Sequence, residues 1–353
     1  MTEIVTTSID EFMALSRKYP VIDVRTPAEY QKGHIPGAHN LPLFSNEERA
    51  IVGKTYHREG RERAILVGLE LVGPKMREMI EHVRTLTKEN TLLLYCWRGG
   101  MRSNSVGWLF STYGYRVYVL TGGYKAFRKY VLQSFELPRK IIILSGKTGS
   151  GKTAVLQELK RMGNQVIDLE ALAHHKGSSF GSLGETPQPT QQEFENRLAL
   201  QWRSLDTDRP VWLEDESQKI GSRMIPQALW QQMRNAPVIL LNVPLELRAR
   251  FLLREYGGFA PGELAAAVHR LRERLGGLHT RMALESIEKG DLEGCCKLLL
   301  SRYYDKTYRH GLSRRNPELI HTVETDNLNA GLNARKVLAV AEHLVFTGSF
   351  VAG

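Results

Sequence analysis

The chain has 353 residues, of which 42% are hydrophobic and 24% are charged, and its formal net charge is +10. This length predicts two domains that can each bury a full core, and the composition is typical of a globular protein. No apolar run reaches membrane-spanning length and the first residues lack a basic, apolar signal segment, so a cytoplasmic protein is expected. The positive charge suggests a polyanionic partner without proving one. The three cysteines are too few for a disulfide framework and lack metal-ligand spacing, so no structural metal site is expected.

Residues 20–42 predict a strand, a turn, a short helix and a loop interrupted by glycine and proline. Within them, Asp-Val-Arg-x-Pro-x-Glu-Tyr (23–30) is followed by Gly-His-Ile-Pro-Gly-Ala (33–38) and Asn-Leu-Pro (40–42). This string resembles the first signature of rhodanese domains. The resemblance implies that Asp23, Arg25, Glu29 and His34 form an internal polar network near the active loop.

An apolar run, Thr91 to Tyr95, predicts a buried strand that ends directly before Cys96. Parallel sheets place their ligand sites at this end of a strand. The two glycines that follow allow backbone amides to turn inward above a helix over 106–110, which would bind an anion and lower the pKa of the thiol. Arg102 is expected to add a positive charge at the rim, and a buried core cysteine is the alternative. The residues assigned to this anion cradle are Trp97, Arg98, Gly99, Gly100 and Met101.

Cys96 stands where a rhodanese carries its catalytic cysteine. Its spacing to Arg102, Cys-x5-Arg, is that of related phosphatases, whereas sulfur-transferring rhodaneses usually have a six-residue loop. A longer loop implies a wider cradle that suits a tetrahedral phosphorus group or a chalcogen larger than sulfur. A strand over 117–120 and the segment 121–127 complete the rhodanese pattern, and the first domain is predicted to span residues 1–136.

A second domain is predicted over residues 138–353. A short buried strand, Ile141 to Leu144, leads into a P-loop and an amphipathic helix over 154–162. Backbone amides of this loop would surround a diphosphate, Lys152 would neutralise its charge, and the Thr153 hydroxyl would hold Mg²⁺. The residues assigned to diphosphate binding are Gly146, Lys147, Thr148, Gly149, Ser150, Gly151, Lys152 and Thr153.

Further along, a strand over 211–213 ends in Glu214 and Asp215, which are candidates for a magnesium-bound water or for an ordinary acidic turn. The polar loop 174–181 could close over a ligand or lie on the surface. A helix over 245–256 carries Arg248, Arg250 and Arg254, which would contact phosphates or face solvent.

Beyond residue 262 the pattern is mainly helical, and cations alternate with tyrosines. Such interleaving suits RNA, because cations hold phosphates and rings stack on unpaired bases, although a solvated basic face is equally consistent. The candidate tRNA-binding residues are Arg302, Tyr303, Tyr304, Lys306, Tyr308, Arg309, Arg314 and Arg315.

The predicted fold class is therefore α/β, with a rhodanese-like domain of parallel strands and helices on both faces followed by a P-loop NTPase-like α/β domain. This order resembles the tRNA 2-selenouridine synthase family over nearly the whole chain. The motifs that carry the resemblance are the Cys96 loop, Gly-Leu-Glu-Leu-Val-Gly (68–73), the P-loop, Glu-Asp-Glu-Ser (214–217) with Ile-Gly (220–221), and Tyr-Tyr-Asp (303–305).

The resemblance implies a transferase that replaces the sulfur of wobble 2-thiouridine in tRNA with selenium from selenophosphate, through an S-geranylated intermediate made from geranyl diphosphate. ATP is the simplest alternative ligand for the P-loop, and the sequence does not choose between the two. Cys96 would attack selenium and carry it, or assist its delivery. No tightly bound cofactor is expected, Mg²⁺ is an option, and tRNA and a selenophosphate-producing enzyme are the implied partners. Two other classes remain open: a small-molecule sulfurtransferase or phosphatase fused to a nucleotide-binding kinase-like domain, and a noncatalytic scaffold.

Overall fold

The computed structural model describes residues 4–346, which divide into two compact units. Of the described residues, the first unit contains 4–134 together with 190–197, and the second contains 135–189 and 198–346. The linear division predicted at residues 136 to 138 did not assign the segment 190–197 to the first unit. None of the helices within residues 4–346 is both long and apolar enough to cross a membrane.

The first unit is built on a five-stranded parallel sheet in the order β1-β5-β4-β2-β3. Its strands are β1 (Ile4–Thr7), β2 (Val21–Asp23), β3 (His39–Asn40), β4 (Thr91–Tyr95) and β5 (Arg116–Leu120). Strand β4 lies in the centre, and four of its five residues are buried, as expected for a parallel strand covered on both faces. Cys96 directly follows the carboxyl end of this strand.

Helices connect these strands, and two of them begin with a capping box in which Thr26 or Ser45 exchanges hydrogen bonds with a glutamate three residues later. The helices are α1 (Ile9–Leu15), α2 (Pro27–Lys32), α3 (Asn46–Glu59), α4 (Arg61–Val72), α5 (Met76–Leu86), α6 (Met101–Tyr113) and α7 (Gly123–Ser134), with a 3₁₀ turn at Gly73–Lys75. Helix α6 begins at Met101 and includes the whole segment over which the sequence predicted a helix, so the loop after Cys96 is shorter than expected.

The second unit has its own five-stranded parallel sheet, in the order β12-β11-β6-β8-β7, and a small antiparallel pair, β9-β10. The strands are β6 (Ile141–Ser145), β7 (Gln165–Val166), β8 (Val211–Glu214), β9 (Lys219–Ile220), β10 (Arg223–Met224), β11 (Val238–Asn242) and β12 (Ile320–Glu324). Every residue of β6 is buried. Strand β12 interrupts the region predicted as mainly helical. The local sequence did not predict this strand, because it pairs with β11, about eighty residues earlier in the chain.

The helices of the second unit are α8 (Lys152–Arg161), α9 (Leu169–Ala173), α11 (Gln227–Asn235), α12 (Leu245–Tyr256), α13 (Pro261–His269), α14 (Arg272–Leu275), α15 (Gly277–Glu288), α16 (Leu292–Leu299), α17 (Asp305–Leu312) and α18 (Ala330–Phe346). Helix α10 (Gln191–Ser204) has its first residues in the first unit and the rest in the second. A π-helical turn, Leu300–Tyr304, links α16 to α17, and a 3₁₀ turn covers Pro317–Leu319. The two parallel sheets and the helical C-terminal part confirm the predicted fold class.

Candidate functional site

Cys96 follows β4 directly, and its side chain is almost fully buried. Its Sγ lies 3.3 Å from Oγ of Ser103, in the first turn of α6. Burial raises the pKa of the Cys96 thiol, but hydrogen bonds from the Ser103 side chain and from the backbone amides of Arg98, Gly100 and Ser103 outweigh it, so the pKa is lower than that of an ordinary thiol. Two amides of the predicted ring, those of Arg98 and Gly100, thus contact the sulfur and act on the thiol in the expected direction, and anion binding by the loop stays a prediction.

Two glycines allow the loop to close against the turn that follows β5. Gly99 and Gly123 have φ values of 63° and 57°, in the left-handed region. A Cβ on Gly123 would lie 2.3 Å from the carbonyl oxygen of Cys96, and one on Gly99 would lie 2.3 Å from that of Leu120. The loop therefore needs glycine at both positions because of close backbone packing.

Arg102 does not present a free charge to the loop. Its guanidinium donates two hydrogen bonds, of 2.7 and 3.1 Å, to the carboxylate of Glu29, which also closes the capping box of α2. Although burial opposes it, this pairing keeps the pKa of Glu29 below its ordinary value. The structure thus corrects the expectation for Arg102, whose charge is neutralised, and leaves Arg98 as the exposed arginine of the loop.

Below the loop lies the internal network that the rhodanese resemblance implied. The buried guanidinium of Arg25 donates to Asp23 at 2.6 Å, and the Tyr95 hydroxyl donates to the same carboxylate at 2.7 Å. The guanidinium also lies 3.8 Å from the ring centre of Tyr124. His34 stacks on Tyr30, with 3.8 Å between ring centres. These residues support the loop from inside the fold, as predicted.

In the second unit, the P-loop occupies the turn between β6 and α8. The Lys152 ammonium donates to the carbonyl of Gly146 at 2.9 Å, and a Cβ on Gly146 would lie 2.5 Å from the Ser150 hydroxyl. Gly149 and Gly151 have φ values of 84° and 76°, so they fill the left-handed positions of the loop. The strand-loop-helix context required for a phosphate-binding loop is therefore present.

Arg248 holds this loop from behind. Its buried guanidinium donates to the carbonyl of Thr148 at 3.2 Å and makes two 2.8 Å hydrogen bonds to Asp305. The structure therefore matches neither expectation for Arg248, which neither faces solvent nor offers its charge to a phosphate. Arg250 and Arg254 are exposed.

The two acidic residues predicted after β8 have different environments. Asp215 accepts a 2.6 Å hydrogen bond from Arg315 and another from the Ser145 hydroxyl, so its charge is already paired. Glu214 is buried and accepts from the backbone amide of Glu170 at 2.7 Å. Burial, together with nearby Asp168 and Glu170, raises the pKa of Glu214 well above its ordinary value.

Sequence reasoning missed the carboxylates that lie closest to the P-loop threonine. Oγ1 of Thr153 lies 3.3 Å from a carboxylate oxygen of Glu170. Burial raises the pKa values of Glu170 and Glu216, and the negative charge of Glu170 raises the pKa of Glu216 further. Gly177, in the loop 174–181, packs against both, since a Cβ there would lie 2.6 Å from Glu216. The signal for Glu170 was its position in the first turn of α9, shortly after a short strand.

A largely apolar cavity, partly open to solvent, begins at the P-loop. Thr148, Ser178, Tyr256 and Tyr304 are its residues with polar side chains, and aliphatic side chains and two cysteines form most of the remaining wall. The wall includes Leu252, Leu253, Cys295, Cys296 and Leu299. Burial raises the pKa of Cys295 to about 12 and that of Cys296 to about 11, so both are neutral wall residues near pH 7.

The basic C-terminal stretch is only partly exposed. Tyr303 is buried, the Tyr308 hydroxyl lies 2.7 Å from Ser145, and Arg315 is buried against Asp215. Tyr304 lines the cavity, and burial raises its pKa. The structure thus corrects the RNA-binding expectation for these three tyrosines and for Arg315, whose side chains are used inside the fold. The exposed cations of this stretch are Arg302, Lys306, Arg309 and Arg314. For these four residues, RNA binding stays a prediction.

Within residues 4–346, no group of three or more His, Cys, Asp or Glu side chains is arranged to hold a metal ion. A Mg²⁺ ion at a P-loop needs fewer protein ligands, because it keeps water and phosphate oxygens. The oxygen donors of Thr153 and Glu170 fit that requirement.

Two protein-family signatures match the chain: a rhodanese-like domain over residues 8–130 and the tRNA 2-selenouridine synthase AAA domain over residues 139–260. The fold and sites therefore define a rhodanese-like domain joined to a P-loop domain. Curated relatives named tRNA 2-selenouridine synthase are 38% identical in Nitrosomonas europaea, over 70% of this chain and 66% of the relative, and 36% identical in Shewanella piezotolerans, over 86% and 91%. A third, in Shewanella denitrificans, is 35% identical over 89% of this chain and 94% of its own length. The chain belongs to the tRNA 2-selenouridine synthase family.

Proposed function

We propose that the protein is a tRNA-modifying transferase that exchanges the sulfur of wobble 2-thiouridine for selenium, with selenophosphate as donor and an S-geranylated base as intermediate. The observation that carries this proposal is the Cys96 loop, where a thiol of lowered pKa lies among backbone amides suited to a tetrahedral anion. The names of its relatives support the same activity. The proposed partners are tRNA that carries 2-thiouridine and an enzyme that produces selenophosphate.

The first chemical step is assigned to the P-loop unit. The sulfur of 2-thiouridine attacks the first carbon of geranyl diphosphate, the carbon–oxygen bond breaks, diphosphate leaves, and the base loses its N3 proton. Lys152 and the loop amides stabilise the leaving diphosphate. The apolar cavity that begins at Thr148 receives the geranyl chain, which favours an amphiphilic donor over a nucleotide for this P-loop.

Magnesium fits this step as a companion of the diphosphate. Thr153 and Glu170 would hold it through oxygen atoms. The ion would supply positive charge to the leaving group.

The second step is assigned to Cys96. The thiolate attacks the phosphorus of selenophosphate, a sulfur–phosphorus bond forms, the phosphorus–selenium bond breaks, and hydrogen selenide leaves. Hydrogen selenide then adds to carbon 2 of the S-geranylated base and displaces geranyl thiol, while water releases phosphate from Cys96. This route needs no reductant, whereas attack on selenium would leave a selenylsulfide that must be reduced before Cys96 can react again.

The direct test is to incubate the protein with thiolated tRNA, geranyl diphosphate and selenophosphate, and to analyse the nucleosides after digestion. We expect 2-selenouridine from the natural chain, and neither selenation nor phosphate release from Cys96→Ser. Unchanged selenation by that variant would contradict the role of Cys96. Non-thiolated tRNA is the control substrate and should remain unmodified.

The cavity makes a separate prediction about chain length. Cys295→Phe places a ring in the wall, so transfer of the ten-carbon geranyl group should fall roughly tenfold or more, whereas transfer from dimethylallyl diphosphate should be retained. Leu278→Phe changes an exposed residue outside the cavity and is the matched control. Equal loss with both donors, or no loss with geranyl diphosphate, would contradict this assignment of the cavity.

A further inference from the structure

Helix α6 begins at the mouth of the Cys96 loop and carries an exposed stripe without charged side chains. Positions three, four, seven and eleven residues after Met101 lie on the same face of the helix. The residues of this stripe, all exposed, are Met101, Asn104, Ser105, Trp108 and Thr112. We call this set the α6 stripe.

Trp108 is the unusual member of the α6 stripe. Its side chain is 54% exposed, whereas Trp202 and Trp212 are fully buried. Within residues 4–346, no other aromatic ring packs on Trp108, and about half of its side chain is available to a ligand. The indole lies about 10 Å along the helix from Met101, since each residue adds about 1.5 Å.

Charges around the loop mouth favour an anionic partner. Arg98 in the loop is exposed, and so is Lys125, whose backbone amide donates to the carbonyl of Trp97 at 3.1 Å. The carboxylate of Glu29 is paired with Arg102. Cations beside Cys96 and an open aromatic face along the adjoining helix are the two features by which proteins bind unpaired nucleotides.

We propose that the α6 stripe binds the RNA loop that carries the reacting uridine, with a neighbouring unpaired base stacked on Trp108 and phosphates held by Arg98 and Lys125. The inference rests on the proposed function, because it takes the substrate of Cys96 to be an RNA base. The distance of about 10 Å corresponds to about three stacked nucleotides at about 3.4 Å per step, so the stacked base belongs to the same loop as the reacting one. This face combines exposed cations with an exposed aromatic ring, whereas the rings of the tyrosines near residue 303 pack inside the fold.

The test measures binding of the full chain to an anticodon stem-loop RNA that carries 2-thiouridine. Trp108→Ala should raise the dissociation constant about tenfold and raise the KM for RNA without lowering kcat, and Trp108→Phe should stay within about threefold of the natural chain. In a plot of the logarithm of the binding constant against the logarithm of the salt concentration, Arg98→Gln should reduce the slope by about one. Trp108→Ala should leave that slope unchanged.

Tyr113→Ala is the matched control, because Tyr113 lies on the same helix, is 52% exposed, and stacks on Tyr115 away from the α6 stripe. It should bind RNA like the natural chain. The inference is overturned if Trp108→Ala binds RNA normally, if Tyr113→Ala loses as much affinity, or if Trp108→Ala impairs only selenium supply from a coupled selenophosphate-producing enzyme, which would indicate a protein-docking face. A natural chain that does not bind the RNA would instead refute the proposed function itself.

Discussion

At the scale of single residues, the environment of Cys96 decides its chemistry. The loop amides and Ser103 favour the thiolate more strongly than burial disfavours it. Reaction with iodoacetamide, followed against pH, should therefore show a midpoint below the ordinary thiol value of 9.0. Ser103→Ala should raise that midpoint, because it removes a hydrogen bond to sulfur.

The other cysteines do not obscure this measurement. Burial raises the pKa values of Cys295 and Cys296 to about 12 and about 11, so neither should be alkylated near pH 7. Cys96→Ser is the control and should abolish the reaction. A midpoint at or above the ordinary value would contradict the account of thiol activation.

Glu214 gives a second prediction at this scale, concerning stability. Its pKa in the folded protein lies above the ordinary value of 4.5, so the folded state retains a proton that the unfolded chain loses. The stability that protonated Glu214 contributes to the folded state is therefore fully present below pH 4.5. It is lost as the pH rises through the pKa of the folded protein. Glu214→Gln keeps the carbonyl acceptor for Glu170 and should raise the free energy of unfolding at pH 8 by about 1–3 kcal/mol, with little effect near pH 4.5.

Asp215→Asn is the contrasting variant, measured by the same urea titrations at both pH values. It removes one member of the buried ion pair with Arg315 and should lower the free energy of unfolding by about 3 kcal/mol. If Glu214→Gln were destabilising at pH 8, the account of a neutral, buried carboxyl group would be wrong.

At the scale of elements, the Cys96 loop depends on the turn that starts α7. Gly123→Ala would bring a Cβ to 2.3 Å from the Cys96 carbonyl and strain a left-handed backbone. We expect a loss of about 2 kcal/mol in stability and about 100-fold in selenium transfer, because the loop amides move off their positions.

Gly100→Ala provides the matched control within the same loop. Its φ is −111°, and nothing lies within 4 Å of an added Cβ, so stability and transfer should remain near those of the natural chain. Both variants are compared by thermal unfolding and by nucleoside analysis. Equal effects of the two changes would contradict the role of close packing at Gly123.

The elements also show how far a sequence can be read. The strand before Cys96, the P-loop and the polar network around Asp23 were predicted, because each is encoded by neighbouring residues and a specific motif. The ion pairs of Arg248 with Asp305 and of Arg315 with Asp215 join residues 57 and 100 positions apart, so charge counting did not find them. The alternation of tyrosines and cations after residue 302 suggested an RNA-binding surface, but the tyrosine rings and Arg315 pack inside the fold.

At the scale of the whole chain, two parallel sheets each present a loop at the carboxyl end of a central strand, Cys96 after β4 and the P-loop after β6. The cavity beside the P-loop could not be predicted, because its wall comes from helices spread over more than one hundred residues. In the proposed function, one chemical step takes place at each loop, with prenyl transfer at the P-loop and selenium transfer at Cys96. In the proposed reaction, the intermediate between the steps is the S-geranylated RNA.

The measurement that tests this division most directly is nucleoside analysis of RNA treated with variants blocked at either loop. With thiolated RNA and both donors, Cys96→Ser should accumulate the S-geranylated base, and Lys152→Ala should leave 2-thiouridine unchanged. When supplied with RNA that is already S-geranylated, Lys152→Ala should form 2-selenouridine at a rate near that of the natural chain, whereas Cys96→Ser should form none. Selenation by Cys96→Ser, or failure of Lys152→Ala to selenate geranylated RNA, would contradict the account.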